Sequence, residues 1–119
     1  MKTLQEILNT TPVFLHNFTD TDSVLGNFEH TLEGEHILFA SYDNANYSGD
    51  AFVLYSLNNK LFEVNGSHCS CYGLEGQWKP EEVSLEGLKH RLLNGTLGSD
   101  SYIVNEFANE LKQFLGISN

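Results

Sequence analysis

Two hydrophobic segments separated by a pair of asparagines constrain the fold of this chain most strongly. Residues 51–57 and 60–64 are rich in aliphatic and aromatic side chains, and Asn58-Asn59 lies between them. Asparagine tolerates the positive φ angles of a two-residue hairpin turn, so the two segments are predicted to pair as antiparallel strands. The apolar run 37–40 and the alternating run 68–72 predict two further strands.

The segments on both sides of this centre carry helix signals. Each predicted helix has an N-terminal capping residue or an apolar repeat of three to four residues. The predicted caps and ends are Thr3, in a capping box with Glu6, for the first helix; Asp22 and Gly34 for the second; Ser84 and Asn94-Gly95 for the third; and about residue 101 and Gly116 for the last. We therefore expect one α+β domain over residues 1–119, in which helices at both ends flank a central antiparallel β-meander at about 36–72.

The charge of the chain is strongly negative and unevenly distributed. There are 16 Asp and Glu against 6 Lys and Arg, for a formal net charge of −10. No Lys or Arg stands between Lys2 and Lys60, so residues 1–59 carry a net −7 and residues 60–119 the remaining −3. Carboxylates that cluster without cations project a negative potential that attracts a basic partner. The alternative is that the charge serves only solubility.

The same composition excludes several classes of function. Direct binding to nucleic acid or to an anionic membrane requires a basic footprint, which this chain lacks. No apolar run approaches the roughly 18 residues of a membrane span, and the N-terminus lacks the apolar region of a signal peptide. Two cysteines are too few for a disulfide framework. These features predict a cytoplasmic protein.

The densest chemical motif lies at residues 64–78, which contain three glycines, both cysteines, a histidine and the only tryptophan. His68, Cys69 and Cys71 are candidate metal ligands, and either thiol is a candidate nucleophile. The spacing of the cysteines differs from that of zinc knuckles, and a disulfide between them would close a small strained ring. We therefore expect two small buried hydrophobic side chains, no metal and no cofactor, with a metal- or thiol-dependent enzyme as the alternative.

Three segments together carry a resemblance to a known group of proteins. They are the strand 51–54, the run 63–78 with its NGSHCSCYGLEGQW core, and the helix that opens at Ser84 with Lys89-His90-Arg91. Over about residues 36–95, the chain resembles a family of small, uncharacterised proteins encoded by bacteriophages and prophages. The resemblance implies a phage origin and a host bacterial cytoplasm, and it lends no catalytic role to any residue. By analogy of class, small acidic phage proteins include inhibitors of host defence or transcription, such as anti-CRISPR proteins and DNA mimics.

These observations predict a non-enzymatic binding protein that docks on the basic surface of a nucleic-acid-handling host protein and inhibits it. The carboxylates of the first half supply the charge, and two tyrosines are predicted as anchors because Tyr is enriched at interfaces. The predicted partner-binding residues are Asp20, Asp22, Glu29, Glu33, Glu35, Tyr42, Asp43, Tyr47 and Asp50.

Overall fold

A five-stranded mixed sheet forms the centre of the computed structural model, which describes residues 1–45, 48–69, 71–99 and 105–117. The strands lie side by side in chain order: β1 (Val13–His16), β2 (His36–Ala45), β3 (Ser48–Leu57), β4 (Lys60–His68) and β5 (Glu81–Val83). β1 pairs with β2 in parallel, and the other neighbours are antiparallel. The helices of the described chain are α1 (Leu4–Leu8), α2 (Thr21–Phe28), α3 (Leu85–Leu93) and α4 (Ala108–Leu115).

The side chains of the sheet alternate between two hydrophobic cores, one on each face. Along β3, Phe52 and Leu54 belong to the first core, whereas Val53 and Tyr55 belong to the second, as the two-residue repeat of a strand requires. Residues of α1, α3 and α4 cover the first core, and α2 with part of the segment 74–78 covers the second. The predicted α+β architecture, in which N-terminal and C-terminal helices flank a central sheet, is confirmed. None of the described helices is long and apolar enough to cross a membrane.

The predicted hairpin and two of the predicted helix starts are confirmed. Asn58 and Asn59 have φ angles of 54° and 63°, the combination that a type I′ turn requires. Thr3 and Glu6 form the capping box of α1. The Ser84 hydroxyl accepts the N–H of the third residue after it and so caps α3.

The second helix differs from its prediction at both ends. Its N-cap is Asp20 and not Asp22, because the Asp20 carboxylate accepts the Ser23 N–H at 2.8 Å while the Ser23 hydroxyl accepts the Asp20 N–H at 3.1 Å. Its C-cap is Glu29, which adopts a left-handed φ of 54°. The helix therefore ends well before Gly34.

The predicted strand at 68–72 is wrong. β4 ends at His68, and the next residue, Cys69, pairs with Tyr72 in an isolated antiparallel bridge. The fifth strand is instead Glu81–Val83, antiparallel to β4. The last helix begins at Ala108, after its N-cap Phe107, so the prediction that residues 105–107 are helical is wrong. The predicted helical residues 101–104 lie outside the described part of the chain.

Candidate functional site

The fold separates the predicted acidic residues into two groups. Asp43 and Asp50 are register partners on β2 and β3, near the end of the sheet where these strands are connected. Glu35 directly precedes β2 at the other end of the sheet, and the path from His36 to Asp43 spans about 23 Å at the usual rise of a strand. Glu29 and Glu33 lie in the same α2–β2 connection as Glu35. The predicted acidic residues therefore do not all form one surface.

Asp20 and Asp22 lie at the same end of the sheet as Asp43 and Asp50, although the helix that they open covers the second core, on the opposite face from the Asp43 and Asp50 side chains. They open α2, which follows the last residue of β1, and the Asn17 N–H donates to the carbonyl of Tyr42 at 2.8 Å. The segment before α4 reaches this end as well, because the His16 ring lies against the Glu106 carbonyl. We call this group the acidic end; it comprises Asp20, Asp22, Asp43, Asp50, Glu106 and Glu110.

Asp43 and Asp50 place two carboxylates directly opposite each other on neighbouring strands. Their chain neighbours Tyr42 and Ala51 both point into the second core, so strand alternation directs both Asp side chains to the other face of the sheet. Like charges in this arrangement destabilise a sheet. His16 Nδ1 lies 3.6 Å from Asp43 Oδ2 and offsets part of the repulsion when the ring is protonated. A cation bound near the pair would offset more of it.

A pocket of about 540 Å³ opens beside Asp43. His16 forms part of its wall and has a left-handed φ of 59°, a conformation that costs energy in a residue other than glycine. The ring nitrogen His16 Nε2 lies 3.2 Å from the carbonyl oxygen of Glu106 and so links β1 to the segment before α4. Ser99, Glu110 and Lys112 line the same pocket. The pocket is therefore polar and rich in carboxylates.

Tyr42, one of the two predicted tyrosine anchors, does not join this surface. Tyr42 is only 7% exposed, and its ring packs 5.2 Å from that of Phe18 in the second core. Burial raises the pKa of its hydroxyl above the ordinary value. We therefore assign Tyr42 to the core and not to a surface. Tyr47 lies outside the described residues.

Glu35 is an internal partner and not a surface charge. Its side chain is 6% exposed, and Oε2 lies 2.6 Å from His30 Nε2. The His30 ring stacks on Trp78 at 4.4 Å, and Trp78 stacks in turn on Tyr55 at 5.7 Å. This contact holds the α2–β2 connection against the loop that carries Trp78.

The Glu35 interaction predicts a dependence of stability on pH. Although burial opposes the charge, hydrogen bonds from the Glu33 N–H and the His30 ring hold the pKa of Glu35 below its ordinary value. Such a carboxylate stabilises the fold above its ordinary pKa, and the contribution is lost as the pH falls through the folded value. Between about pH 5 and pH 3, the free energy of unfolding should therefore fall more steeply in the wild type than in Glu35→Gln.

Urea denaturation followed by the fluorescence of Trp78 measures this difference. The exposed Glu33→Gln serves as the control, because it keeps the backbone N–H that Glu35 accepts. The control should retain the wild-type acid response, and equal responses of the wild type and Glu35→Gln would contradict the prediction.

Residues 64–78 form the end of β4 and the loop that follows it, and this loop packs against the second core. Leu74 is 2% exposed. The Gln77 amide donates to the Ser67 carbonyl at 2.6 Å and accepts the Ser67 N–H at 2.8 Å, which fastens the loop to β4. Gly66 leaves the necessary space, because a Cβ there would lie 3.1 Å from side-chain atoms of both Leu74 and Phe28. The glycine, leucine and glutamine of the motif thus anchor the loop.

This anchored loop presents the cysteines at its tip. Both thiols are free; Cys71 is exposed and Cys69 is half-buried, so the expectation of two buried hydrophobic side chains is wrong. Across the described ranges, no group of three or more His, Cys, Asp or Glu side chains is placed to hold a metal ion. His68 Nδ1 is buried without a hydrogen-bond partner among the described residues. The ring of His68 lies edge-on to Tyr42 at 5.7 Å.

The chain has no significant match among protein families, curated proteins or solved structures. Its function is therefore inferred from the two surfaces described above. One is the acidic end, and the other is the loop that carries the cysteines.

Proposed function

We propose that the protein is a phage-encoded, non-enzymatic binding protein whose acidic end docks on the basic surface of a nucleic-acid-handling host protein and inhibits it. The observation that carries the proposal is the cross-strand pair of Asp43 and Asp50, joined at the same end of the sheet by Asp20 and Asp22. The phage origin rests on the resemblance of residues 36–95.

The position of the charge supports binding over simple solvation. Carboxylates at any exposed position improve solubility, whereas opposite carboxylates on paired strands lower stability. The arrangement at Asp43 and Asp50 is therefore unfavourable for the isolated domain and favourable for a complex with a cation. The polar pocket of about 540 Å³ beside Asp43 offers space for a Lys or Arg side chain of the partner.

The chemistry of the acidic end also supports a nucleic-acid-binding protein as the partner. Arg and Lys side chains that bind phosphate also bind a carboxylate, because they donate charge-assisted hydrogen bonds to the oxygens of either group. A surface that normally binds a nucleic-acid backbone is therefore complementary to this end of the protein. Occupation of that surface would exclude the nucleic acid, which is the proposed inhibition.

Two variants with the same net charge test the proposal. The first replaces Asp20, Asp22, Asp43 and Asp50 with asparagine, which also retains a good N-cap for α2 at residue 20. The matched control replaces four exposed glutamates away from the acidic end with glutamine: Glu29, Glu33, Glu82 and Glu86. The wild type and both variants are immobilised and exposed to bacterial lysate at low salt. Association rates with the recovered protein are then measured at increasing ionic strength.

We expect the wild type to recover a basic, nucleic-acid-binding protein. The association rate should fall steeply with salt, because exposed charges are screened beyond about 10 Å at 0.1 M. The asparagine variant should associate about tenfold more slowly at low salt, and the glutamine control within about twofold of the wild type. Recovery of no basic partner, or equal losses in both variants, would refute docking through the acidic end.

A further inference from the structure

We infer that Cys69 and Cys71 form a redox-active dithiol that exchanges with small-molecule disulfides of the glutathione class. This inference concerns the loop after β4 and does not depend on the proposed docking function. It rests on the exposure of the thiols, the hydrogen bond that reaches Cys69 Sγ, and the anchoring of the loop.

The exposure of these residues is unusual for structural cysteines. Free cysteine is among the most buried residue types when it serves only packing. Here Cys71 is exposed and Cys69 is half-buried, and neither belongs to a hydrophobic core. Small-molecule reagents can therefore reach the turn that carries both thiols.

A backbone hydrogen bond favours the thiolate form of Cys69. The N–H of Cys71 donates to Cys69 Sγ at 3.3 Å, and this bond is the main reason that the pKa of the Cys69 thiol is lowered. The thiolate is the form that attacks a disulfide. Cys69 is therefore the attacking residue of the pair, and Cys71 the second thiol.

The loop holds the turn in place from both sides. The Cys69 N–H donates to the carbonyl of Tyr72 at 3.1 Å, and the Gln77 bonds to Ser67 fix the loop to β4. The buried side chain of Leu74 adds a hydrophobic contact. The described residues on both sides of the thiols are thus held to β4 and to the second core.

The exchange proceeds in two steps. The Cys69 thiolate attacks one sulfur of oxidised glutathione, forms a mixed disulfide and releases one glutathione thiolate. Cys71 then loses its proton to solvent, attacks Cys69 Sγ and releases the second glutathione. Together the two thiols lose two electrons, and oxidised glutathione is reduced to two molecules of glutathione. The small ring of the resulting disulfide is strained, and strained or exposed disulfides are readily reduced, so the reaction is reversible.

The test uses the full reduced chain in buffers with graded ratios of oxidised to reduced glutathione. The reaction is quenched by alkylation, and intact mass spectrometry counts free thiols and attached glutathione. Cys71→Ser keeps the backbone N–H that donates to Cys69 Sγ, whereas Cys69→Ser leaves only the second thiol. Circular dichroism confirms that both variants fold. The variant with four asparagines at the acidic end should react like the wild type, which separates this inference from the docking proposal.

We expect the wild type to lose both free thiols without retaining glutathione, as an internal disulfide requires. Cys71→Ser should accumulate the mixed disulfide, and at neutral pH it should react about tenfold faster than Cys69→Ser. Unfolding in urea should abolish this difference. Equal rates in the two folded variants, or a wild type that retains glutathione on both thiols, would overturn the inference.

Discussion

Replacement of Phe39 by alanine should lower the free energy of unfolding by about 3–5 kcal/mol. Phe39 lies on β2 and has no exposed surface. Its ring centroid lies 6.3 Å from that of Phe52 and 5.9 Å from those of Phe107 and Phe114. The substitution therefore leaves a cavity between the centre of the sheet and α4. The surrounding rings are held on β3 and at the two ends of α4, so they cannot all move to fill it.

Urea denaturation monitored by circular dichroism measures this loss. Leu32→Ala is the control, because Leu32 is 48% exposed and substitutions at such positions usually change stability by less than about 0.5 kcal/mol. Since a domain is commonly stable by only about 5–15 kcal/mol, Phe39→Ala should unfold at much lower denaturant than the control. Similar midpoints for the two variants would show that Phe39 is not central to the core.

Replacement of Arg91 by alanine should cost about 2–4 kcal/mol of stability. The Arg91 guanidinium on α3 donates two hydrogen bonds to Glu63 on β4, at 2.5 and 3.0 Å. Glu63 is 4% exposed, so loss of Arg91 leaves a buried carboxylate with only the Asn65 amide as a partner in the described structure. The expected cost is below that of a fully buried pair, because the Arg91 side chain is 34% exposed.

A double variant separates the buried charge from the loss of packing. Glu63→Met combined with Arg91→Ala removes both charges and has the same short side chain at residue 91 as Arg91→Ala. It should therefore regain the part of the lost stability that comes from the buried charge. Lys89→Ala on the same helix controls for loss of a surface cation. Chemical denaturation of the set gives the comparison. A double variant as unstable as Arg91→Ala would contradict this account.

Features that depend on neighbouring residues could be predicted from the sequence. The Asn58-Asn59 turn needs only two residues that accept positive φ, and the α1 cap needs only Thr3 and Glu6. At α2, whether Asp20 or Asp22 is the N-cap depends on which of them has a hydrogen-bonding side chain three residues later. Ser23 returns the hydrogen bond to Asp20, and serine in this position is a weaker signal than glutamate.

Features that depend on distant contacts could not be predicted. The parallel pairing of β1 with β2 joins segments separated by α2. A register irregularity between Ile37 and Phe39 places both Leu38 and Phe39 in the first core, although simple alternation would separate them. β5 contains two glutamates in three residues, so it carries no apolar pattern.

The candidate sites also combine features that the sequence shows with features that only distant contacts determine. The uneven charge was visible in the sequence, but only the sheet register brings Asp43 opposite Asp50 and separates both from Glu35. Tyr42 resembles a surface tyrosine in an acidic context, and its burial depends on α2 covering that face. For the cysteines, the serines and glycines around Cys69 and Cys71 were the available signal for an exposed turn.

The lengths of the strands bear on how this domain meets other proteins. The edge strands β1 and β5 have 4 and 3 residues, whereas the inner strands have 9 or 10. An incoming chain can extend a sheet only by pairing with the free backbone groups of an edge. Short edges, one of them carrying the exposed Glu81 and Glu82, offer little backbone for such pairing. The domain is thereby protected from strand-to-strand aggregation, and the proposed docking would depend on side chains.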